Sequence, residues 1–182
     1  MTNFERLSHD LDFVPVTSLD ASEVMKVREI RNQVGVRKNM YTDHEIGLDE
    51  HLAWIEGLRS SNTSDFFAVY KAGELVGGAG ISAINQAHKR ADWAFYLSEN
   101  WQGKGVGASV EYHFINHCFD AYDLHKLNCE VLVFNAPVIR MHQKFGFQIE
   151  GTRRAHIFRD GQYHDAVLLG ITRPEWDALK AR

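Results

Sequence analysis

The spacing of apolar positions changes period twice along the chain, and those changes divide it into elements. "FVPVT" (13–17) is a short apolar run that predicts a strand. "DASEVMKVREIRN" (20–32) predicts a helix, with Asp20 as N-cap and Glu23 three residues on to close a capping box. "GLDEHLAWIEGL" (47–58) predicts a second helix. Gly47 starts it, Glu50 sits at the third helical position, and Leu48, Leu52 and Ile55 form its apolar stripe. The period then becomes that of strands. "DFFAVYKAGELVGGAGISAI" (65–84) predicts a hairpin around "KAGE", and "RADWAFYL" (90–97) a further strand. Val106, Val110, Phe114 and Cys118 recur every four residues, a helix running to about Phe119. "KLNCEVLVF" (126–134) predicts a strand and "APVIRMHQKF" (136–145) a short helix stopped by Gly146. Residues 146–171 predict two long strands around "RDGQ". "PEWDALK" (174–180) predicts a closing helix with Pro174 at its first position. The order is mixed α/β (α+β) with a mostly antiparallel sheet of seven strands. With no repeat, no low-complexity tract and three prolines, nothing divides residues 1–182, which read as one domain.

Composition narrows the class. Hydrophobic content of 45% and charged content of 24% suit a globular protein with a sizeable core. A net charge of −4 argues against a nucleic-acid partner. No apolar run is long enough to span a bilayer, and "MTNFERLSHDLDFVPV" lacks the apolar core of a signal peptide. Cys118 and Cys129 lack metal-ligand spacing, so they read as reduced, buried thiols of a cytoplasmic protein, and no metal is expected.

Candidate chemistry centres on "NWQGKGVGASV" (100–110), between a strand and an amphipathic helix. A helix start offers unpaired N–H groups to an anion, and glycines let the backbone approach it. The phosphate-binding P-loop fails because Lys104 is followed by Gly105, not Ser or Thr. The dinucleotide fingerprint fails because Ala108 stands where its last glycine belongs, and because the segment follows an antiparallel run. The pattern Q/R-x-x-G-x-G/A is met by Gln102, Gly105 and Gly107. A turn that only permits tight packing is the other reading of these glycines.

That pattern, at a strand-to-helix junction, resembles the pyrophosphate-binding motif of the GNAT superfamily of acetyl-CoA-dependent N-acetyltransferases. "FNAPVIRMHQKFGF" (134–147) resembles the same family's N-x-x-x-x-x-x-Y-x-x-x-G-F segment, and the element order matches over nearly the whole chain. The resemblance implies a sheet flanked by about four helices and splayed between strands 4 and 5. It implies that backbone amides of Gln102, Gly103, Lys104, Gly105, Val106, Gly107 and Ala108 hold the CoA pyrophosphate. Phe95, Tyr96 and Leu97 would pair with the pantetheine arm, an amide near Tyr96 or Leu97 would polarise the thioester carbonyl, and Asn135 would contact the arm. His142 stands where the family usually has a tyrosine acid. It either donates the proton to the leaving thiolate or packs beside the sulfur while solvent donates. Asp92, at the place of a frequent family glutamate, and Glu130, which interrupts an apolar strand, are the candidate bases, with a water as the third.

The same resemblance implies that the acceptor is bound largely by the first two helices and their connecting loop, here residues 27–58. Arg31 is in register with Val24 and Val27, Met40 and Tyr41 stand in a polar loop, and His51 and Trp54 share a helix face. Arg28, Arg37 and Lys38 add positive charge. A cation, an aromatic wall and a soft apolar contact suit a ligand with a phosphate, a ring and a methyl group. The stretch resembles pseudaminic-acid-pathway N-acetyltransferases. That resemblance implies a UDP-linked 4-amino-4,6-dideoxy sugar (of the UDP-4-amino-4,6-dideoxy-N-acetyl-β-L-altrosamine type), with Met40, Tyr41, Trp54 and Tyr96 around the sugar and Arg31 and His51 on polar groups. Lys89, Arg153 and Arg154 serve either a diphosphate or the solvated surface. An N-terminal acetyltransferase of ribosomal proteins and a non-enzymatic acetyl-CoA-binding module are the competing readings. A monomer and a homodimer are both compatible with the sequence.

Overall fold

The computed structural model describes residues 4, 7 and 10–181, so part of the N-terminal stretch read for a signal peptide lies outside the described residues. Seven strands form one sheet: β1 (Leu11–Pro15), β2 (Asp65–Lys71), β3 (Glu74–Asn85), β4 (Arg90–Leu97), β5 (Lys126–Leu132), β6 (Gln148–Arg159) and β7 (Gln162–Thr172). Their spatial order is β1-β2-β3-β4-β5-β7-β6. Every neighbouring pair is antiparallel except β4 and β5, which are parallel. Six helices accompany it among the described residues: α1 (Ala21–Asn32), α2 (Val34–Arg37), α3 (Leu48–Arg59), α4 (Val106–Ala121), α5 (Ala136–Lys144) and α6 (Arg173–Lys180). The expectation of about four is exceeded mainly because the single turn of α2 is too short to carry a readable period.

Two apolar layers hold the sheet. On one face α1 and α3 bury Val24, Val27 and Ile55 against Ala68. On the other, the i+4 stripe of α4 (Val110, Phe114 and Cys118, all at 0% exposure) packs with Trp93, Leu127, Leu169 and Trp176. Cys118 and Cys129 are free and buried, and burial pushes the Cys118 thiol well above its ordinary range. No helix among the described residues is long and apolar enough to cross a membrane.

Several local expectations change. The first strand ends at Pro15, because Val16–Ser18 close a 3-10 turn with Ser18 Oγ donating to the Pro15 carbonyl at 2.7 Å. Asp20 caps α1, accepting from Ser22 N at 2.8 Å and Glu23 N at 2.9 Å. Glu23 makes no box there; it accepts from Tyr70 Oη at 3.0 Å. The reciprocal box forms instead at α6, between Thr172 and Glu175, which moves Pro174 to the second helical position. The stripe of α3 is also rotated: His51 and Ile55 face inward, while Leu48 and Leu52 are exposed. β5 stops at Leu132, where its pairing with β7 ends, and Val133 and Phe134 turn outward.

Candidate active site

The pairing of β4 with β5 covers only three positions, Arg90 to Lys126, Ala91 to Leu127 and Asp92 to Asn128. Beyond them, β4 continues to pair with β3, and β5 with β7, but not with each other. The sheet therefore opens into a V whose apex is Asp92–Asn128. There Asn128 Nδ2 donates to Asp92 Oδ1 at 3.1 Å. The facing edges, Trp93 to Leu97 and Cys129 to Leu132, present backbone groups that need partners.

The glycine loop lies at the open end of the V. After a short turn at Glu99–Trp101, Gln102 Nε2 donates to the Leu97 carbonyl at 3.0 Å, which ties the loop to the end of β4. Lys104 Nζ lies 5.4 Å from the Trp101 ring. Gly105 caps α4 with φ of 79°, a left-handed conformation that a side chain disfavours. No side chain caps α4 and no acid lies in its first turn, so a sixteen-residue helix presents free N–H groups. Gly107 is different. A Cβ there would meet nothing nearer than 3.7 Å (Leu97 Cδ1 and Met141 Sδ), so neither packing nor an unusual φ requires glycine. The loop is also joined to the α1–α2 junction: Glu99 N donates to Gln33 Oε1 at 2.8 Å, and Gly35 N donates to Glu99 Oε1. Asn135 precedes α5, and its side-chain amide makes no hydrogen bond among the described residues.

Strand alternation divides the V chemically. Trp93 faces α4 and α5, and His142 on α5 packs against it with ring centroids 5.4 Å apart. His142 is 4% exposed, and its Nδ1 lies 2.7 Å from Oε1 of Glu111 on α4, itself fully buried. Burial pushes the Glu111 carboxyl up, partly offset by its hydrogen bond to His142. Glu111 was not among the sequence candidates; its place on the i+1 side of the Val110 stripe was the available signal.

On the opposite face, Glu130 accepts from Tyr41 Oη at 2.7 Å and from Arg153 Nη1. Burial, then the bond to Glu130, pushes the Tyr41 phenol well up. Trp54 meets Phe66 edge-on at 5.0 Å, and Phe66 stacks on Tyr96 at 6.0 Å, forming an aromatic wall. Gly78 and Gly80 of β3 make room for it: a Cβ on either would come within 2.7 Å of the Phe66 ring. Phe66 was missed in the sequence, although "VGGAG" inside a strand is the mark of such a close approach. Arg31 donates from Nη2 to the Thr42 carbonyl at 3.3 Å, while Nη1 is buried and unpartnered. Burial lowers its pKa and the neighbouring Tyr96 partly restores it.

Other candidates are placed elsewhere. His51 is 2% exposed and donates from Nε2 to the Val24 carbonyl at 3.1 Å, so it backs Trp54 instead of facing an acceptor. Arg28 and Arg37 bond the carbonyls of Ile46, Asn32 and Asp43, and so order the loop after α2. Met40, half-buried in that loop, has its carbonyl held by Arg159 Nη1 at 2.7 Å. Lys89 lies at the far end of β4 from the glycine loop, paired with Asp123 at 2.5 Å; Arg154 is exposed on β6.

Residues 16–168 match the family described as acetyltransferase (GNAT) domain. An uncharacterized prophage-derived N-acetyltransferase of Bacillus subtilis is 32% identical over 68% of this chain and 70% of its own length. An L-amino acid N-acetyltransferase of Escherichia coli is 32% identical over 53% of this chain and 61% of its own. Among solved structures, a spermidine N-acetyltransferase of Vibrio cholerae, in complex with CoA and spermine, superposes with a TM-score of 0.85. It covers 93% of this chain and 99% of that one at 21% identity.

Proposed function

This chain belongs to the GNAT family of acetyltransferases, with acetyl-CoA as co-substrate, and from that premise we propose that its acceptor is the free 4-amino group of a UDP-linked 4-amino-4,6-dideoxy sugar. The observation that carries this reading is Arg31, whose buried Nη1 has no partner and whose charge interacts with Tyr96, the inner member of the wall of Trp54, Phe66 and Tyr96. A cation beside aromatic rings matches a phosphate joined to a methylated sugar ring. A polyamine would meet Arg31 as like charge. A free amino acid is the second reading, because its carboxylate would also pair with Arg31.

The roles follow from the two faces of the V. Backbone amides from Gln102 to Ala108 hold the CoA pyrophosphate, the edge Phe95–Leu97 and Asn135 hold the arm, and an N–H at Tyr96 or Leu97 polarises the thioester carbonyl. Glu130, on the part of β5 beyond the apex, receives the amine proton, and Asp92 is held at the apex by Asn128. The amine nitrogen bonds the acetyl carbon, the C–S bond breaks with its electrons on sulfur, and His142 returns a proton to that sulfur.

Two tests arise here. Gly107→Ala keeps or raises Tm, since alanine gains roughly 0.5–1 kcal/mol over glycine in a helix. It raises KM for acetyl-CoA about tenfold, the effect of losing roughly one backbone-to-phosphate hydrogen bond. UDP alone inhibits competitively against the acceptor and not against acetyl-CoA. Inhibition competitive only with acetyl-CoA would sink the nucleotide-sugar reading.

A further inference from the structure

We infer that Glu111 is a positioning residue for the reaction, holding the His142 imidazole by Nδ1 so that Nε2 is turned to the thioester sulfur. The inference rests on the reading of His142 as the acid. Two buried, ionisable side chains from different helices meet at 2.7 Å, on the α4/α5 face of the V and against Trp93, one residue beyond its apex. Glu111 Oε2 is buried without a partner, so the carboxyl costs free energy that the single bond to His142 does not fully offset. A packing role would be met more cheaply by an apolar pair. The other ring nitrogen of His142 has no protein partner among the described residues. Cys129 is the further titratable group facing the pair, from β5, and burial followed by the charge of Glu111 pushes its thiol up.

Proton balance is simple. Before transfer, the dyad holds two protons over Nε2, Nδ1 and the carboxylate. The Nε2 proton passes to the departing thiolate as the C–S bond breaks. What remains is a neutral imidazole whose Nδ1–H donates to ionised Glu111. Solvent then reprotonates the pair. This places Glu111 where a histidine replaces the phenol that the family uses, because a phenol has one position for its proton and an imidazole has two.

The test is a cycle of Glu111→Gln and His142→Phe, assayed at saturating substrates across pH. Glu111→Gln lowers kcat roughly tenfold, leaves KM for acetyl-CoA unchanged, and changes the alkaline limb of kcat, which a purely structural role would leave in place. In the His142→Phe background it lowers kcat no further. If His142→Phe leaves kcat unchanged, the acid reading falls and this inference with it. If His142→Phe lowers kcat but Glu111→Gln moves neither kcat nor the limb, Glu111 has no such role and the acid reading stands. An equal loss in both backgrounds means that Glu111 serves the fold alone. The native protein supplies a measurement that needs no variant: with 15N-labelled histidine, the His142 Nε2 resonance shifts on adding CoA and not on adding adenosine 3′,5′-bisphosphate, which lacks the thiol arm. No shift with CoA overturns the inference.

Discussion

Glu130→Gln lowers kcat about 10²- to 10³-fold at neutral pH, the usual contribution of a positioned base. KM for acetyl-CoA stays constant, because the proposed cofactor site is the glycine loop and the edge of β4, across the V from Glu130. Glutamine keeps the size of the side chain and can still accept from Tyr41 Oη, so the loop that carries Tyr41 remains docked. What is removed is the capacity to take a proton, together with the charge that pairs with Arg153. The loss shrinks as pH rises, because the amine then arrives already neutral. A variant with unchanged kcat, or a loss constant across pH, would move the base to Asp92 or to solvent. Asp92→Asn is the comparison, and its smaller expected effect reflects the bond that ties it to Asn128 at the apex.

Arg31→Leu cuts kcat/KM for the nucleotide sugar roughly 10²-fold, through KM, in the range measured when one member of a buried charge pair is removed. The side chain makes one long hydrogen bond, to the Thr42 carbonyl, so the variant remains folded. Removing the cation also removes the repulsion that disfavours polyamines, so activity on spermidine rises. Steady-state kinetics with both acceptors reads the two effects together. A proportional loss on both acceptors would mean that Arg31 orders the loop and does not select the ligand.

Much of the local structure of the proposed donor half was legible in the sequence, because it is carried by backbone and local spacing. Gln102, Gly105 and Gly107 sit in one turn, and the i+4 stripe of α4 places that turn at a helix start without tertiary information. The V between β4 and β5 was accessible only through family resemblance, since no local pattern announces where two strands part. The acceptor half was read less well. In α3, the arithmetic of spacing favoured Leu48 and Leu52 for the core, but the helix is rotated to bury His51 against the Val24 carbonyl. Long-range packing decided that rotation. Arg28 and Arg37 were read as ligand-facing charge, yet the loop after α2 has backbone carbonyls that lack a ladder, and arginines satisfy them. Phe66 depends on glycines in a neighbouring strand, and Glu111 on a residue thirty-one positions away, so neither has a local signature.

The most direct test is release of free CoA from acetyl-CoA with four acceptors at matched concentration: the UDP-4-amino-4,6-dideoxy sugar, spermidine, an L-amino acid and an N-terminal ribosomal-protein peptide. The expected result is a kcat/KM for the amino sugar about 10²-fold or more above the others, with the acetylated sugar as product, because each rival leaves either Arg31 or the aromatic wall without its partner. Faster CoA release with spermidine, the amino acid or the peptide, or none with the sugar, would contradict it.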